Sequence, residues 1–375
     1  MIRISDQTLR DGEQQVGIVF APKQKIELAW AIAKTGVDYI ALMPVTCDEE
    51  YDITKVLQNQ SIPVVPDMPL KKESVKQVKS LGTQRITLFT SVSDILLEAK
   101  GLSHKQNVMN ALEIVTYAFQ NNLIVDFAFE DASRADIGYI TELALELKPF
   151  INYLILCDTV GCLQPNLTEI WIRQFIKKST CLKIGIHCHN DLGLAVENTI
   201  RAVLSGSTLI SGTFTGIGER AGNAALEQVL TQLRLKHNIQ CEQINYDKID
   251  SVCQLVRDCA GRGPVKPLSD QAFYCETGIH VYAMLRNEKA YSVLPNKQPE
   301  IWFGKFSGIS NYRWLFERIL NQQQPEATYS MMRDKVKILS IKEKKSFSTN
   351  EIIQMYIKGF FSDCRLNNFL SRKIE

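Results

Sequence analysis

Two histidines separated by one residue, His187 and His189, lie at the end of the short apolar run 184–188. If that run is a β-strand, alternate side chains face opposite sides, so both imidazoles point the same way. The chain contains only five histidines, which makes this spacing unusual. Two converging neutral imidazoles are typical ligands of a divalent metal. The alternative is a pair of surface histidines on an edge strand, but the apolar neighbours and the following turn favour a buried strand.

A third ligand is available from Asp11, which lies in the run Leu-Arg-Asp-Gly-Glu-Gln near the N-terminus. One carboxylate and two imidazoles suit Zn, Mn, Fe, Co or Mg, and the ligand types do not select one of these metals. Asn223 is a candidate for a further weak ligand, or for a residue that holds a metal-bound water. An open metal beside Arg10 suits a chelated 2-oxo acid, because the guanidinium stabilises charge that develops on the keto oxygen.

The elements that must position these residues alternate between short apolar runs and longer amphipathic ones. Eight strand–helix units of this kind predict parallel βαβ units and a (β/α)8 TIM barrel, an α/β fold. The rival, a doubly wound open sheet, is disfavoured because no Gly-x-Gly-x-x-Gly follows the first strand. The predicted strands are 2–4, 39–42, 63–65, 85–89, 124–129, 153–157, 183–189 and 208–213, and the predicted helices are 23–34, 49–57, 74–81, 104–121, 137–147, 167–178, 194–204 and 224–235.

We expect two regions in the chain. Residues 1–240 form the catalytic barrel, and residues 241–375 form a linker, a lid and a small, mostly helical subdomain. The apolar pattern weakens after about residue 238, and an N-cap signature at residues 348–351 opens a further helix.

Polar clusters follow five of the predicted strands. In a TIM barrel the catalytic residues lie at the carboxyl ends of the strands, on one face of the barrel. Each cluster also has a structural interpretation, such as an N-cap at Ser133, a turn at Gly161 or an ion pair between Glu219 and Arg220. Arg134 is suited to pair with a second carboxylate of the substrate, or alternatively to form a salt bridge within its own loop. The clusters are residues 6–14, 130–136, 158–161, 187–191 and 216–223.

The composition excludes several classes of function. Forty-three Lys and Arg residues balance 41 Asp and Glu residues without a basic stripe, so neither nucleic acid nor an anionic membrane is an expected partner. No apolar run reaches the ~18 residues of a transmembrane helix, and the N-terminus lacks a signal-peptide pattern, so we expect a cytoplasmic protein. The ten cysteines form no Cys-x-x-Cys pair and are expected to be reduced and mostly buried.

Taken together, the motifs resemble those of the metal-dependent acyl-CoA condensing enzymes on TIM barrels, the homocitrate, isopropylmalate and citramalate synthases. The run Asp-Ala-Ser-Arg-Ala-Asp at 131–136 and the short C-terminal region are most similar to the nitrogen-fixation type of homocitrate synthase. The chain is too short for the feedback domain of long isopropylmalate synthases, which implies no leucine-type regulation. The motifs that carry the resemblance are residues 9–14, 130–136, 158–161, 187–195 and 218–227.

The resemblance implies a Claisen condensation of acetyl-CoA, the co-substrate, with a 2-oxo acid, and 2-oxoglutarate is the expected acceptor. It also implies a homodimer with exchanged lid residues, in which His280 reaches the site from the partner subunit. A glutamate near a histidine can be tuned as a base towards neutral pH. The implied roles are metal binding by Asp11, His187, His189 and Asn223, polarisation of the ketone by Arg10, acid–base catalysis by Glu130 and His280, and substrate binding by Gln14, Arg134, Thr159, Gly218 and Tyr291.

The chain also departs from the pattern of these enzymes. Ala41 replaces a glutamate of the second strand, Cys275 and Tyr282 alter the lid motif, and Phe306 replaces a histidine. A less polar pocket of this kind is compatible with a different acceptor, so condensation with pyruvate, 2-oxoisovalerate or oxaloacetate is one alternative. A metal-dependent lyase is another, but its reactive cysteine is missing from residues 215–223. A barrel that has lost turnover is the third.

Overall fold

Eight parallel strands form a closed barrel in the computed structural model, which describes residues 1–179, 181–292, 294 and 297–361. Consecutive strands are neighbours, and β8 closes the barrel by pairing with β1. This confirms the TIM barrel that the alternating pattern predicts. The strands are β1 Arg3–Asp6, β2 Tyr39–Leu42, β3 Val64–Pro69, β4 Arg85–Ser91, β5 Ile124–Glu130, β6 Tyr153–Asp158, β7 Ile184–Cys188 and β8 Leu209–Gly212.

The helices that cover the barrel follow the predicted ones to within a few residues, with one addition. The short helix α4 begins after the cap residue Ser93 and ends at Gly101, which adopts a left-handed conformation. Its seven residues are too few to show a helical period in the sequence. The helices of this part are α1 Pro22–Ala33, α2 Asp48–Asn59, α3 Lys72–Leu81, α4 Asp94–Lys100, α5 His104–Gln120, α6 Ile137–Leu147, α7 Pro165–Ser179, α8 Ala195–Leu204 and α9 Leu226–His237.

Strand β7 shows how the barrel aims its functional side chains. Ile184, Ile186 and Cys188 are at most 1% exposed and belong to the apolar core between the strands and the helices. The alternate side chains of His187 and His189 therefore point into the barrel mouth. Parallel strands are covered on both faces, which is why they read as nearly continuous apolar runs in the sequence.

The C-terminal unit, residues 270–361, has a second apolar core of its own that also includes Leu96 and Ala99 of α4. It is mostly helical, as expected, but it also contains a three-stranded sheet that the sequence pattern does not predict. Helix α10, which precedes the unit, packs in the barrel core instead. The elements are α10 Ile249–Ala260, α11 Gly278–Met284, α12 Ile309–Trp314, α13 Glu326–Glu343, α14 Thr349–Ile357, β9 Tyr274–Cys275, β10 Glu300–Phe303 and β11 Phe347–Ser348.

A buried ion cluster of Lys25, Lys305, Glu13 and Glu50 joins the C-terminal unit to the barrel. Lys305 Nζ lies 2.9 Å from Glu13 Oε1 and 2.6 Å from Glu50 Oε1. Lys25 Nζ lies 2.6 Å from both Glu13 Oε2 and Glu50 Oε2. All four side chains are at most 1% exposed. Two positive and two negative charges therefore balance one another away from water, and they fix the unit over the barrel mouth.

Two further features bear on the expectations from composition. Within the described residues, no helix combines the length and the apolar character needed to cross a bilayer. Nine cysteines lie in the same part of the chain; all nine are free thiols and five are buried. Cys364 lies outside the described residues.

Candidate active site at the barrel mouth

The predicted metal ligands converge at the carboxyl ends of β1 and β7. His187 Nε2 and His189 Nε2 are 3.3 Å apart, and Asp11 Oδ2 lies 3.7 Å from each of them. All three residues are at most 5% exposed. The arrangement thus presents two imidazole nitrogens and one carboxylate oxygen to a single point, as the spacing in the sequence predicts.

Neighbouring groups hold these three side chains in place. Ser211 Oγ lies 3.1 Å from His187 Nδ1, which leaves Nε2 of that ring facing the site. Asn223 Nδ2 donates to Asp11 Oδ1 at 2.8 Å, and the Glu219 N–H donates to the same oxygen at 3.1 Å. The amide nitrogen of Asn223 therefore positions Asp11, and the role expected for Asn223 as a weak ligand or as the holder of a metal-bound water stays a prediction.

Gly218 is required by this packing. A Cβ atom at that position would lie 2.0 Å from Asn223 Nδ2 and 2.7 Å from Asp11 Oδ1. Its φ of 157° is also a conformation that L side chains rarely adopt, so the close approach and the dihedral angle both favour glycine. Gly218 is a predicted substrate contact, and the structure places it behind the metal-binding carboxylate, outside the cavity wall.

The electrostatics suit a bound cation. Burial opposes ionisation of Asp11, but His189, Arg10 and His187 outweigh it and hold the pKa of this carboxyl well below its usual range. Burial likewise lowers the pKa of His189 well below its usual value, so its imidazole is neutral. An ionised carboxylate and a neutral imidazole are the protonation states that metal ligands require. His189 Nδ1 and Asn223 Oδ1 are buried without a hydrogen-bond partner in the described residues.

Arg10 lies directly beside the metal-binding carboxylate. Its NH1 is 2.9 Å from Asp11 Oδ2, and its Nε is 3.2 Å from Asp67 Oδ2 and 2.7 Å from Gln7 Oε1. These contacts fix the plane of the guanidinium while the side chain stays 19% exposed towards the cavity. Gln14, a predicted substrate contact, accepts a longer hydrogen bond from the same NH1 at 3.5 Å.

A cavity of about 500 Å³ opens in front of these residues, between the barrel and the C-terminal unit. A volume of this size accommodates a small acid together with the reactive end of a second substrate. The predicted site residues that line it are Arg10, Asp11, Gln14, Glu130, Thr159, His187, His189 and His280, and those that do not are Arg134, Gly218, Asn223 and Tyr291.

Glu130 stands on the opposite side of the barrel mouth, at the end of β5. Its Oε2 accepts from Ser91 Oγ and lies 3.0 Å from Lys100 Nζ, and its Oε1 accepts from the Tyr291 hydroxyl at 2.5 Å. Burial favours the neutral carboxyl, but Lys100 and His280, with these hydrogen bonds, lower the pKa of Glu130 to about 2. The direction is opposite to the tuning towards neutral pH expected from the sequence, because Lys100 of the unpredicted helix α4 reaches the carboxylate.

His280 has a different carboxylate partner. Its Nδ1 lies 2.9 Å from Glu219 Oε2, and its ring stacks on Tyr291 with 3.7 Å between the ring centroids. Supply of this histidine by a partner subunit, which the resemblance implies, stays a prediction, and in the single chain His280 of α11 reaches the site of its own barrel. The reason is the docking of the C-terminal unit on α4 of its own barrel, secured by Lys305.

Arg134 adopts the salt bridge that the sequence left as an alternative to substrate binding. Its NH2 is 2.7 Å from Asp131 Oδ2 and donates to the Ala290 carbonyl at 2.5 Å, and its Nε donates to Asp131 Oδ1 at 2.9 Å. Thr159, the other predicted contact of the acceptor side chain, lines the cavity while its Oγ1 accepts from the Asp131 N–H at 2.8 Å.

Three of the four unusual residues of this chain lie around the lid, and the fourth lies in the barrel. Phe306 and Tyr282 line the cavity, and Ala41 is buried in β2. Cys275 is buried, and its thiol, a Glu219 oxygen and a His280 nitrogen lie within 4.8 Å of one another. Burial raises the pKa of the Cys275 thiol well above its usual value, so the thiol is neutral beside the Glu219–His280 pair.

The family model described as HMGL-like matches residues 1–256. The chain belongs to the HMGL-like family. The homocitrate synthase of Methanosarcina mazei is 32% identical over 364 residues, which cover 94% of this chain and 89% of that protein. The 2-isopropylmalate synthase of Sulfurisphaera tokodaii is 31% identical, covering 86% of this chain and 88% of that protein. The (R)-citramalate synthase of Methanocaldococcus jannaschii is 32% identical, covering 82% and 65%. The resemblance to these condensing enzymes is thereby confirmed.

Solved structures confirm the fold. The HMG-CoA lyase of Bacillus subtilis superposes with a TM-score of 0.63 at 20% identity, over 70% of this chain and 95% of that one. The carboxyl transferase domain of Rhizobium etli pyruvate carboxylase has a TM-score of 0.57 at 15% identity, over 77% of this chain.

Several functional candidates were not identified from the sequence. The sequence predicts for Glu219 only an ion pair with Arg220, whereas Arg220 pairs with Asp191 at 2.7 Å and lies 4.0 Å from Glu219. In the sequence Ser211 is only a serine in an apolar strand, and nothing there indicates its contact with His187. Two lysines far apart in the chain, Lys100 and Lys337, approach the site only because α4 and α13 pack against it.

Proposed function

We propose that this chain catalyses the Claisen condensation of acetyl-CoA with a 2-oxo acid, and that the acceptor is 2-oxoglutarate, giving homocitrate and CoA. The observation that carries the proposal is the convergence of Asp11, His187 and His189 beside Arg10 in a cavity that also contains His280. Relatives named as homocitrate, isopropylmalate and citramalate synthases support the reaction class.

The donor set fits a divalent metal. Two nitrogen ligands and one ionised oxygen ligand leave further positions open for substrate oxygens. A metal held by Asp11, His187 and His189 would supply Lewis-acid polarisation of the keto group. Arg10, beside Asp11, would stabilise negative charge on the same oxygen, and its own charge is retained because Asp11 and Asp67 stabilise the guanidinium.

His280 is the base in this proposal. Because Glu219 holds Nδ1, the other ring nitrogen is free to take a proton from the methyl group of acetyl-CoA, and the carboxylate stabilises the resulting imidazolium. The methyl carbon then bonds to the keto carbon, the keto oxygen gains a proton, and water cleaves the thioester to release CoA. Tyr291 fixes the plane of the His280 ring by stacking and donates to the ionised Glu130.

The acceptor is the finer part of the proposal. Assignment to the nitrogen-fixation type of homocitrate synthase stays a prediction based on residues 131–136. The homodimer and the cytoplasmic location are predictions as well. The contacts of Arg134 with Asp131 and Ala290 leave the distal carboxylate of 2-oxoglutarate without the partner that the resemblance implies. Another cation must serve that group if 2-oxoglutarate is the substrate.

The test is release of CoA thiol by the purified protein with added Mn, Mg or Zn, against 2-oxoglutarate, pyruvate, 2-oxoisovalerate and oxaloacetate. We expect release with 2-oxoglutarate, loss of activity in Asp11→Ala, and a decrease of about 100-fold or more in kcat for His280→Ala. Glu219→Gln should lower kcat with little change in KM, whereas Glu242→Gln, at an exposed position, is the matched control. Release with another acid would revise the acceptor, and no release with any of the four would refute the proposal.

A further inference from the structure

Lys337 is a cation without a carboxylate partner in the wall of the cavity. The other charged groups of the wall are paired: Arg10 lies between Asp11 and Asp67, and His280 contacts Glu219. For Lys337, no carboxylate of the described residues lies within the 4.0 Å of a salt bridge. Its Nζ makes one hydrogen bond, to the Thr46 carbonyl at 2.9 Å.

The surroundings of Lys337 make this imbalance significant. Burial lowers the pKa of its ammonium group, and the carboxylates of Asp334 and Glu276, which lie beyond salt-bridge distance, offset this only in part. Thr277 lines the same cavity, and its hydroxyl is buried without a hydrogen-bond partner in the described residues. An ammonium group with two unused protons and an unpaired hydroxyl are the donors that an anion takes.

We propose that Lys337 and Thr277 form an anion subsite of the cavity, which binds a carboxylate or phosphate group carried by one of the two substrates. The inference rests on the proposed function, because that function supplies both kinds of group. The distal carboxylate of a dicarboxylic 2-oxo acid is one source, and the phosphates of CoA are the other. Lys337 lies on α13 of the C-terminal unit, so a ligand held there spans the barrel and the unit.

Isothermal titration calorimetry with saturating Mn²⁺ separates the two sources. The probes are free CoA, 2-oxoglutarate and 2-oxoisovalerate, which lacks a distal carboxylate. The variant is Lys337→Gln, because its amide still donates to the Thr46 carbonyl while the charge is lost. Lys342→Met is the matched control, since it removes an exposed charge from the same helix outside the cavity.

We expect Lys337→Gln to weaken one probe by about tenfold or more, as for a lost hydrogen bond to a charged group. Weaker binding of CoA alone assigns the subsite to phosphate, and weaker binding of 2-oxoglutarate but not 2-oxoisovalerate assigns it to the distal carboxylate. Unchanged affinities for all three probes, with wild-type binding intact, overturn this inference alone. A wild-type protein that binds none of the probes refutes the proposed function and this inference together.

Discussion

The buried ion cluster offers a sharp test of how the C-terminal unit is held, through the substitution Lys305→Met. Removing one partner of a buried ion pair costs about 3–5 kcal/mol. Lys305 contacts both Glu13 and Glu50, so its loss leaves two carboxylates with the single charge of Lys25. The folded variant escapes this excess charge if one carboxylate takes up a proton. For a glutamate of ordinary pKa at pH 7, that uptake costs about 4 kcal/mol, which agrees with the range above.

The sign of the pH dependence follows from this proton uptake. The folded variant binds a proton that the unfolded chain does not bind at neutral pH, so its stability must rise as the pH falls. Relative to wild type, the penalty of Lys305→Met should therefore shrink by up to about 1.4 kcal/mol per pH unit between pH 7.5 and 5.5. Urea unfolding followed by circular dichroism and by tryptophan fluorescence, to which Trp302 and Trp314 of the C-terminal unit contribute, measures it.

Two further variants complete the experiment. Lys342→Met removes an exposed charge and should change stability by less than about 0.5 kcal/mol at either pH. Lys305→Met combined with Glu50→Gln restores one positive and one negative charge, so the pair should cost less than the sum of the single changes. A penalty for Lys305→Met below about 1 kcal/mol, or one that does not vary with pH, would refute the reasoning.

Three other outcomes follow from the site. The pKa of Glu130 in the folded protein, about 2, lies below its ordinary value, so its ionisation contributes about 3 kcal/mol to the free energy of unfolding above pH 4.5, and this is lost as the pH falls towards 2. In urea unfolding at pH 6 and pH 3, Glu130→Gln should therefore lose less stability on acidification than wild type. Equal losses would contradict this. Asp11→Ala should reduce bound metal, measured by mass spectrometry, to under about a tenth of the wild-type ratio because it removes the only carboxylate of the donor set, and full retention would exclude the assigned ligands. Arg134→Met should destabilise the fold by about 2 kcal/mol, because it leaves the buried Asp131 carboxylate without its cation. It should leave the KM for the 2-oxo acid within about twofold of wild type, and a tenfold higher KM would show that Arg134 binds the substrate.

Much of the barrel could be predicted from the sequence because its strands are buried on both faces. Such strands appear as apolar runs, and β2 and α6 have the predicted ends. The pair His187 and His189 could be predicted for the same reason, since a strand fixes which side chains share a face. Helix α4 could not, because seven residues between two capping signals show no period.

The contacts that complete the site could not be predicted, because they join residues far apart in the chain. Charged residues are by default exposed, so nothing in the sequence marks Lys25 or Lys305 as buried. The pairing of His280 with Glu219 depends on where the C-terminal unit docks. For Arg134, by contrast, the sequence left substrate binding and a salt bridge within its own loop as alternatives, since a guanidinium fits either carboxylate, and the structure has the salt bridge with Asp131.

One loop connects the docking of the C-terminal unit to the metal site. Asp11 faces the two histidines, and Glu13, two residues later, accepts from Lys25 and Lys305. Gln15 continues the same loop and donates to the Gly263 carbonyl at 3.0 Å. A rigid loop with ligands on one side and buried ion pairs on the other transmits displacement between them. Lys305→Met should therefore weaken metal binding as well as lower stability, although Lys305 contacts none of the metal ligands. An unchanged metal affinity would show that the two sides of the loop act independently.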